Sequence, residues 1–365
     1  MIPLLIGIPA VLAVLFQFIR NEKARGYIVY AGAGIVMLTT VIFIVRWITG
    51  GAQTWMFYPE TELIDHLMTA GDIFLMCLII YLSVKYGKVL PVILSVLQTA
   101  LVLYTEFTAE TVGGPHMMVD WLTILMCIII AFIGGFICIY TVGYMKGYHA
   151  HHKDVKDRQP FFFSMLFLFL AAMFGLVLSQ NLIWIYFFWE ITSVISFLMI
   201  GYTRTDEAVN NSFCALWMNL LGGLGFAVGI ALMAQLYGTL QLMDVVESGA
   251  LLPLMCLALA GLTKSAQLPF STWLLGAMVA PTPSSALLHS ATMVKAGVYL
   301  LIRISPALEG NLVGIIISSI GGLTFIMASM MAIAQNDAKK VLAFSTISNL
   351  GLIVACSGIG VEETV

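Results

Sequence analysis

Residues 261–300 read GLTKSAQLPFSTWLLGAMVAPTPSSALLHSATMVKAGVYL. The stretch sets Lys264, His289, Lys295 and Pro269 among runs of apolar residues. A charged side chain at a bilayer centre costs about 2.5–3.5 kcal/mol on insertion scales, so each one calls for a partner or a task. Pro269 cannot donate to the carbonyl of Ser265, four residues before it, and so frees backbone where no water is expected. The stretch predicts a helix broken at membrane depth, with Ser265, Gln267 and Pro269 surrounding the position just past Lys264. Transporters use such breaks to build ion sites, although a proline kink alone is common in membrane helices.

The rest of the chain supports a membrane setting. Of 365 residues, 61% are hydrophobic and 10% charged, with a mean hydropathy of +1.01. Soluble domains run at about 45–50% apolar and about 25% charged. The expected class is therefore an all-α polytopic membrane protein with about 12 transmembrane helices, one of them broken mid-membrane. The apolar segments fall at 2–19, 26–48, 68–84, 89–106, 118–143, 161–179, 182–202, 209–235, 250–280 (broken), 284–303, 312–335 and 338–358. The first lacks a basic flank and a small-residue cleavage site, so it is expected to be retained. An acidic linker, Glu60, Glu62 and Asp65, precedes the third.

The basic residues predict the orientation. Of the 16, 12 lie in the loops after helices 1, 3, 5, 7 and 11, only Arg46 and Arg303 lie on the other side, and Lys264 and Lys295 lie in the membrane. Positive charge is held inside, so the N-terminus and Glu362–Glu363 are expected outside and the loop 144–160 in the cytoplasm, within a cytoplasmic (inner) membrane.

Glu190, in NLIWIYFFWEITSVISFLMIGY, is about ten residues into its helix and about 15 Å deep at 1.5 Å per residue. Lys264 has a similar depth, so the two are expected to pair or to be linked through water. The bland alternative is an ion pair that only fixes helix packing. Thr282–Pro283 predicts a helix start, with the threonine as cap. On that helix His289 and Lys295 are six residues apart, with Thr292 between them, so they do not share a face and could serve adjoining cavities. A histidine near two buried lysines fits a proton relay. A satisfied packing histidine is the alternative.

Other polar positions carry less. Asp72 is buried or snorkels. Asp120 opens a helix, where a carboxylate favours the dipole. His149, His151 and His152 fit a solvated loop better than a metal site. Cys77, Cys127, Cys138, Cys214, Cys256 and Cys356 all sit in apolar runs without metal-ligand spacing. There is no phosphate loop, nucleophile triad or opposed haem histidine pair, so no cofactor is expected in this chain. Nothing points to nucleic acid.

The runs FFWEITSVISFLMIGY, LTKSAQLPFSTWLLGAMVAPTPSSALLHSATMVKAGVYL and NDAKKVLAFSTISNLG resemble the antiporter-like, proton-translocating subunits of respiratory complex I. That family includes the Mrp-type cation/proton antiporters and the membrane subunits of energy-converting [NiFe] hydrogenases. The resemblance covers roughly Met118 to Gly358. It implies that Glu190 pairs with the broken-helix lysine, Lys264, that His289 is a bridging proton carrier and that Lys295 continues the relay. It places Lys339 and Lys340 at a helix start near the surface.

The resemblance also implies a domain plan. Residues 1–117 would be an N-terminal four-helix region, two helices more than the family's usual pair, with 68–84 and 89–106 the additions. Residues 118–160 would connect, 161–303 would be a complete first five-helix inverted repeat, and 304–365 the start of a second, truncated one. The second repeat's exit lysine lies outside this sequence. The implied function is a subunit relaying protons in a redox-driven membrane complex, of energy-converting hydrogenase or complex I type, beside other membrane subunits in the lipid bilayer. The extra helices incline the choice to the hydrogenase type. A Mrp-type Na+/H+ antiporter subunit and a purely structural membrane anchor are the rivals.

Overall fold

A computed structural model of the chain describes residues 1–58, 62–108, 113–153 and 155–360, the side chains at 290 and 291 excepted. Fourteen helices follow in order: α1 (Ile2–Phe18), α2 (Glu22–Thr49), α3 (Glu62–Lys85), α4 (Val89–Thr108), α5 (Trp121–His151), α6 (Gln159–Leu178), α7 (Leu182–Thr203), α8 (Asp206–Tyr237), α9 (Leu242–Ser248), α10 (Leu251–Lys264), α11 (Thr272–Gly276), α12 (Thr282–Leu308), α13 (Leu312–Ile333) and α14 (Ala338–Ile359). Ten of them are long and apolar enough to cross a membrane, and α1 and α10 are shorter apolar helices. Together they fall on the twelve apolar segments of the sequence. Of the residues assigned to loops outside, Glu60, Glu362 and Glu363 lie beyond those described.

The helix starts have local causes. Asn21, Asn181, Thr205, Asn311 and Asp337 each accept a hydrogen bond from backbone N–H groups of the turn that follows. Each cap satisfies donors that a membrane helix cannot leave bare. At α12 the expected cap is displaced by one residue. Pro281 takes the cap position and Thr282 is the first helical residue, its N–H donating to the Tyr144 hydroxyl at 3.2 Å. The polar segment expected to be loop from Lys146 is helical to His151, and His149 bonds the Tyr202 hydroxyl at 3.0 Å.

Helix α6 is buried almost all round, in keeping with apolar residues on every face. Around it pack α1 and α7, and α8 then lies between α4, α7 and α10. Helices α13 and α14 pair closely and pack on α12, with further contacts to α10 and α11. Large apolar side chains such as Phe18, Tyr27, Phe74 and Phe107 point outward, where lipid would cover them.

The short helix α9 and a small sheet escaped the sequence. Trp55–Phe57 and Met117–Val119 form a two-stranded antiparallel sheet in the register Trp55 to Val119. Its strands flank α3 and α4 in the chain, so the sheet closes the base of this helix pair. The pair then leans on the main body: α3 packs on α4 and α7, and α4 on α8.

Candidate functional site

Helix α10 ends at Lys264, earlier than a proline break at residue 269 requires. Ser265 caps it, Ala266 takes a left-handed backbone with φ +53°, and the chain restarts as α11. The Ser265 carbonyl, expected to be open, accepts from the side chain of Gln267 at 3.0 Å. The Ser265 hydroxyl turns back to the Gly261 carbonyl at 2.7 Å. The Trp273 indole reaches the Thr263 carbonyl at 3.0 Å, and Leu268 N–H donates to the Thr324 hydroxyl of α13 at 3.1 Å. Protein thus satisfies much of the break, and its polar groups do not converge on an open ion site.

The break instead places Lys264 at a helix C-terminus, the negative end of the helix dipole. The residue is fully buried. Its ammonium donates to the Trp189 carbonyl at 3.0 Å and to the Ser193 hydroxyl at 2.7 Å, both on α7, and lies 4.8 Å from the Trp189 ring centroid. An ammonium has three N–H donors, so one has no bonded acceptor among the described residues.

Glu190 follows Trp189 directly and is also buried. It makes no direct ion pair with Lys264 among the described residues, although each lies within electrostatic reach of the other. Its Oε2 accepts from the Gln98 side-chain amide at 2.8 Å. Its Oε1 has no hydrogen-bond partner among the described residues. Of the two arrangements the sequence allowed, direct pairing or linkage through water, direct pairing is not formed among the described residues.

Two glycines make these contacts possible. A Cβ at Gly223 of α8 would stand 2.6 Å from both Gln98 Oε1 and Glu190 Oε1. A Cβ at Gly297 of α12 would stand 2.5 Å from the Gly261 carbonyl oxygen and 2.7 Å from the Ser265 nitrogen. Only without these side chains can α8 and α12 approach the carboxylate and the break.

His289 is buried in a π-helical turn, Leu287–Ala291, within α12. Neither ring nitrogen has a hydrogen-bond partner among the described residues. The histidine is within electrostatic reach of Lys339. Lys339 is half-buried at the start of α14, where its ammonium donates to the carbonyls of Ala280 at 3.0 Å and Met278 at 3.3 Å. It is thus not simply a surface residue. Lys295 is half-buried and has no hydrogen-bond partner among the described residues. Among the described residues no hydrogen bond joins Lys264, His289 and Lys295 to one another. A proton moving between them needs intervening water or hydroxyl groups.

Asp120 caps α5, as its position predicts, and adds a contact the sequence did not show. Its carboxylate is held in a bidentate pair by Arg303 of α12, which also donates to Thr123 Oγ1 at 2.7 Å and to the Tyr299 hydroxyl at 2.9 Å. Burial pushes the Asp120 carboxyl up, but the Arg303 bonds and charge with the Thr123 donors outweigh it, and the net pKa is lowered. Gln98 and Ser193 were also missed. A lone amide in an apolar segment is costly in lipid, and that signal could have found Gln98.

Residues 179–364 match the family model described as NADH:quinone oxidoreductase/Mrp antiporter, TM. Residues 115–154 match that described as NADH-Ubiquinone oxidoreductase (complex I), chain 5 N-terminus. The antiporter subunit mnhA2 of Staphylococcus aureus (strain JH9) is 39% identical over 254 residues, which are 67% of this chain and 31% of that relative. The chain thus spans about a third of the length of such curated relatives. A chain in the structure of the Mrp complex from Dietzia sp. DQ12-45-1b is 30% identical, with a TM-score of 0.62 over 82% of this chain and 34% of that one. The fold is also shared with the membrane-bound sulfane sulfur reductase, an archaeal respiratory membrane complex, at a TM-score of 0.59 and 19% identity over 81% of this chain and 64% of that one.

Proposed function

This chain belongs to the NADH:quinone oxidoreductase/Mrp antiporter family of membrane subunits, and on that premise we propose that it relays protons through Glu190, Lys264, His289 and Lys295 inside a multi-subunit complex of the cytoplasmic membrane. The observation that carries this is the buried Lys264 ammonium at the end of a broken helix, held on α7 beside Glu190. Intramembrane ionisable groups at such a break mark ion pathways.

Lys264 holds its proton with help from the Trp189 carbonyl, the Ser193 hydroxyl, the Trp189 ring and the helix dipole. Nearby negative charge on Glu190 favours the ammonium, and removing that charge favours release. The released proton moves by water toward His289, whose two ring nitrogens have no competing protein bonds. Lys295 then takes it onward.

The complex is either driven by redox chemistry in a partner, as the helix count inclines the choice, or by ion gradients, with Na+ exchanged for protons. The relative at 39% identity is named as an antiporter subunit and the one at 30% is a chain of an Mrp complex, which favours the second. The test is Lys264→Met in the full complex, reconstituted in liposomes. Proton movement should fall to background while assembly persists. Undiminished movement would sink the relay. Driving wild type with a Na+ gradient alone, with no electron donor, separates the two energy sources. The structural-anchor rival predicts that a Glu190→Lys, Lys264→Glu exchange keeps activity, whereas a directional relay loses it.

A further inference from the structure

The first turns of α2, the last turns of α5 and the start of α6 enclose a cavity of about 480 Å3. Arg25 and Gln159 line it and are buried, 5% and 6% exposed. Arg25 Nη2 donates to Gln159 Oε1 at 2.7 Å, and the guanidinium lies 5.8 Å from the Phe163 ring centroid. Arg25 makes no other side-chain hydrogen bond and no ion pair among the described residues. The lining also holds Glu22, Lys23 and Lys146, all exposed. Asp157, nearby, accepts from the Gln159 backbone at 2.9 Å and from its side-chain amide at 3.3 Å, and lies 3.6 Å from His149.

A guanidinium stays charged, and a buried charge without a countercharge is costly. Most of its five N–H donors remain for a ligand in the cavity. The level of the cavity identifies that ligand. Residues 26–45 of α2 carry no charged side chain, and Arg25 and Arg46 bracket them. Such a run is about 30 Å of helix, the thickness of the hydrocarbon core. Arg25 therefore lies where hydrocarbon meets the headgroups. Tyr27 and Tyr30 are exposed at the same level, as aromatic side chains at a membrane interface are. An exposed stripe continues along α2 through Gly34, Leu38 and Val41, three or four residues apart. A Cβ at Gly34 or at Gly143, in the cavity wall, would meet nothing within 4 Å.

We propose that this cavity binds the phosphate headgroup of an anionic phospholipid, with Arg25 as its buried anchor and Lys23 and Lys146 at its rim. The guanidinium fork matches two phosphate oxygens with parallel N–H donors. Helices α2 and α6 both start at the cavity, and their positive dipole ends favour an anion. The acyl chains run along the exposed stripe of α2. Three cations against the Glu22 carboxylate make the lining positive, so a zwitterionic headgroup, which brings its own cation, binds less well. A free phosphate would gain the same bonds but nothing from the apolar stripe beside the rim.

The test labels the full complex in liposomes with photoactivatable phosphatidylglycerol or phosphatidylcholine and maps the adducts by peptide mass spectrometry. Phosphatidylglycerol should label the peptides around residues 22–30 and 142–146, and phosphatidylcholine should label them several-fold less. Arg25→Gln should lower the phosphatidylglycerol adducts about tenfold, the loss expected on removing a charge-assisted hydrogen bond. Lys340→Ala, which removes an exposed charge elsewhere, should leave them unchanged. Equal labelling by the two lipids, or unaltered labelling in Arg25→Gln, would overturn the proposal. So would full competition by millimolar inorganic phosphate, which would make the cavity a free-anion site. Cross-links from these peptides to a partner subunit in place of lipid would show that protein covers the cavity, and would overturn it too. Should Arg25→Gln fail to assemble, the Lys23→Ala, Lys146→Ala double variant decides: reduced phosphatidylglycerol labelling supports the site, and wild-type labelling overturns it.

Discussion

Gln98 of α4 donates its amide to the carboxylate of Glu190 on α7 at 2.8 Å, across 92 residues of sequence. One of the two helices that look like an addition therefore holds the first carboxylate of the proposed relay. Replacing Gln98 with Leu should destabilise the complex by about 1–3 kcal/mol, because it leaves a buried acceptor unpaired. Thermal denaturation of the purified complex measures this, and an unchanged midpoint would contradict the contact.

Ser193 accepts from Lys264 at 2.7 Å. Ser193→Ala removes one of the two acceptors that orient the ammonium and leaves the Trp189 carbonyl in place. Proton movement should fall several-fold, short of the complete loss expected for Lys264→Met, since a hydrogen bond to a charged group contributes about 1.5–3 kcal/mol. Initial rates in proteoliposomes compare the two.

His289 offers a separation of transport from stability. Its ring nitrogens make no hydrogen bond among the described residues, so His289→Gln breaks none of those bonds. The denaturation midpoint should move little while proton movement drops. A variant that loses both together would assign His289 a packing role.

Gly297→Ala should disturb the break itself. The new methyl would lie 2.5 Å from the Gly261 oxygen, so α12 must move off α10. Overpacking of this kind costs about 1–3 kcal/mol. Reduced stability with slowed proton movement is expected, and wild-type behaviour in both assays would count against this close approach.

The Asp120–Arg303 clamp sets a pH dependence. Asp120 has a lowered pKa in the folded chain, so its contribution is fully present above the unfolded value of about 3.9 and is lost as pH falls through the lower folded value. Asp120→Asn should cost about 2–3 kcal/mol at neutral pH, somewhat under the figure for a fully buried pair because the carboxylate is partly exposed. The stability curves of wild type and Asp120→Asn should converge under acid. Curves that stay parallel would show that the clamp contributes through shape alone.

Much of the architecture was legible in composition and spacing. The apolar segments matched the helices because each span in lipid must be long, apolar and internally hydrogen-bonded, which leaves few alternatives. The buried charges stood out for the same reason. The short sheet at Trp55–Phe57 was not legible, since three residues carry too little pattern and their pairing partner is far along the chain. The π-helical turn at His289 was also hidden, as nothing in SALLHSAT marks the extra residue in the turn.

By itself, then, the sequence determined that this chain crosses a membrane many times, that one helix breaks near Lys264, and that Glu190, His289 and Lys295 fall within apolar helices long enough to span. Those conclusions follow from the cost of placing polar groups in hydrocarbon, which is a property of each segment alone. Which atoms meet was decided only in three dimensions. Lys264 turned to Trp189 and Ser193, Glu190 turned to Gln98, and Asp120 turned to Arg303 because helix rotation, relative depth and the clearance at Gly223 and Gly297 fix those distances, and none of these is encoded within a single helix.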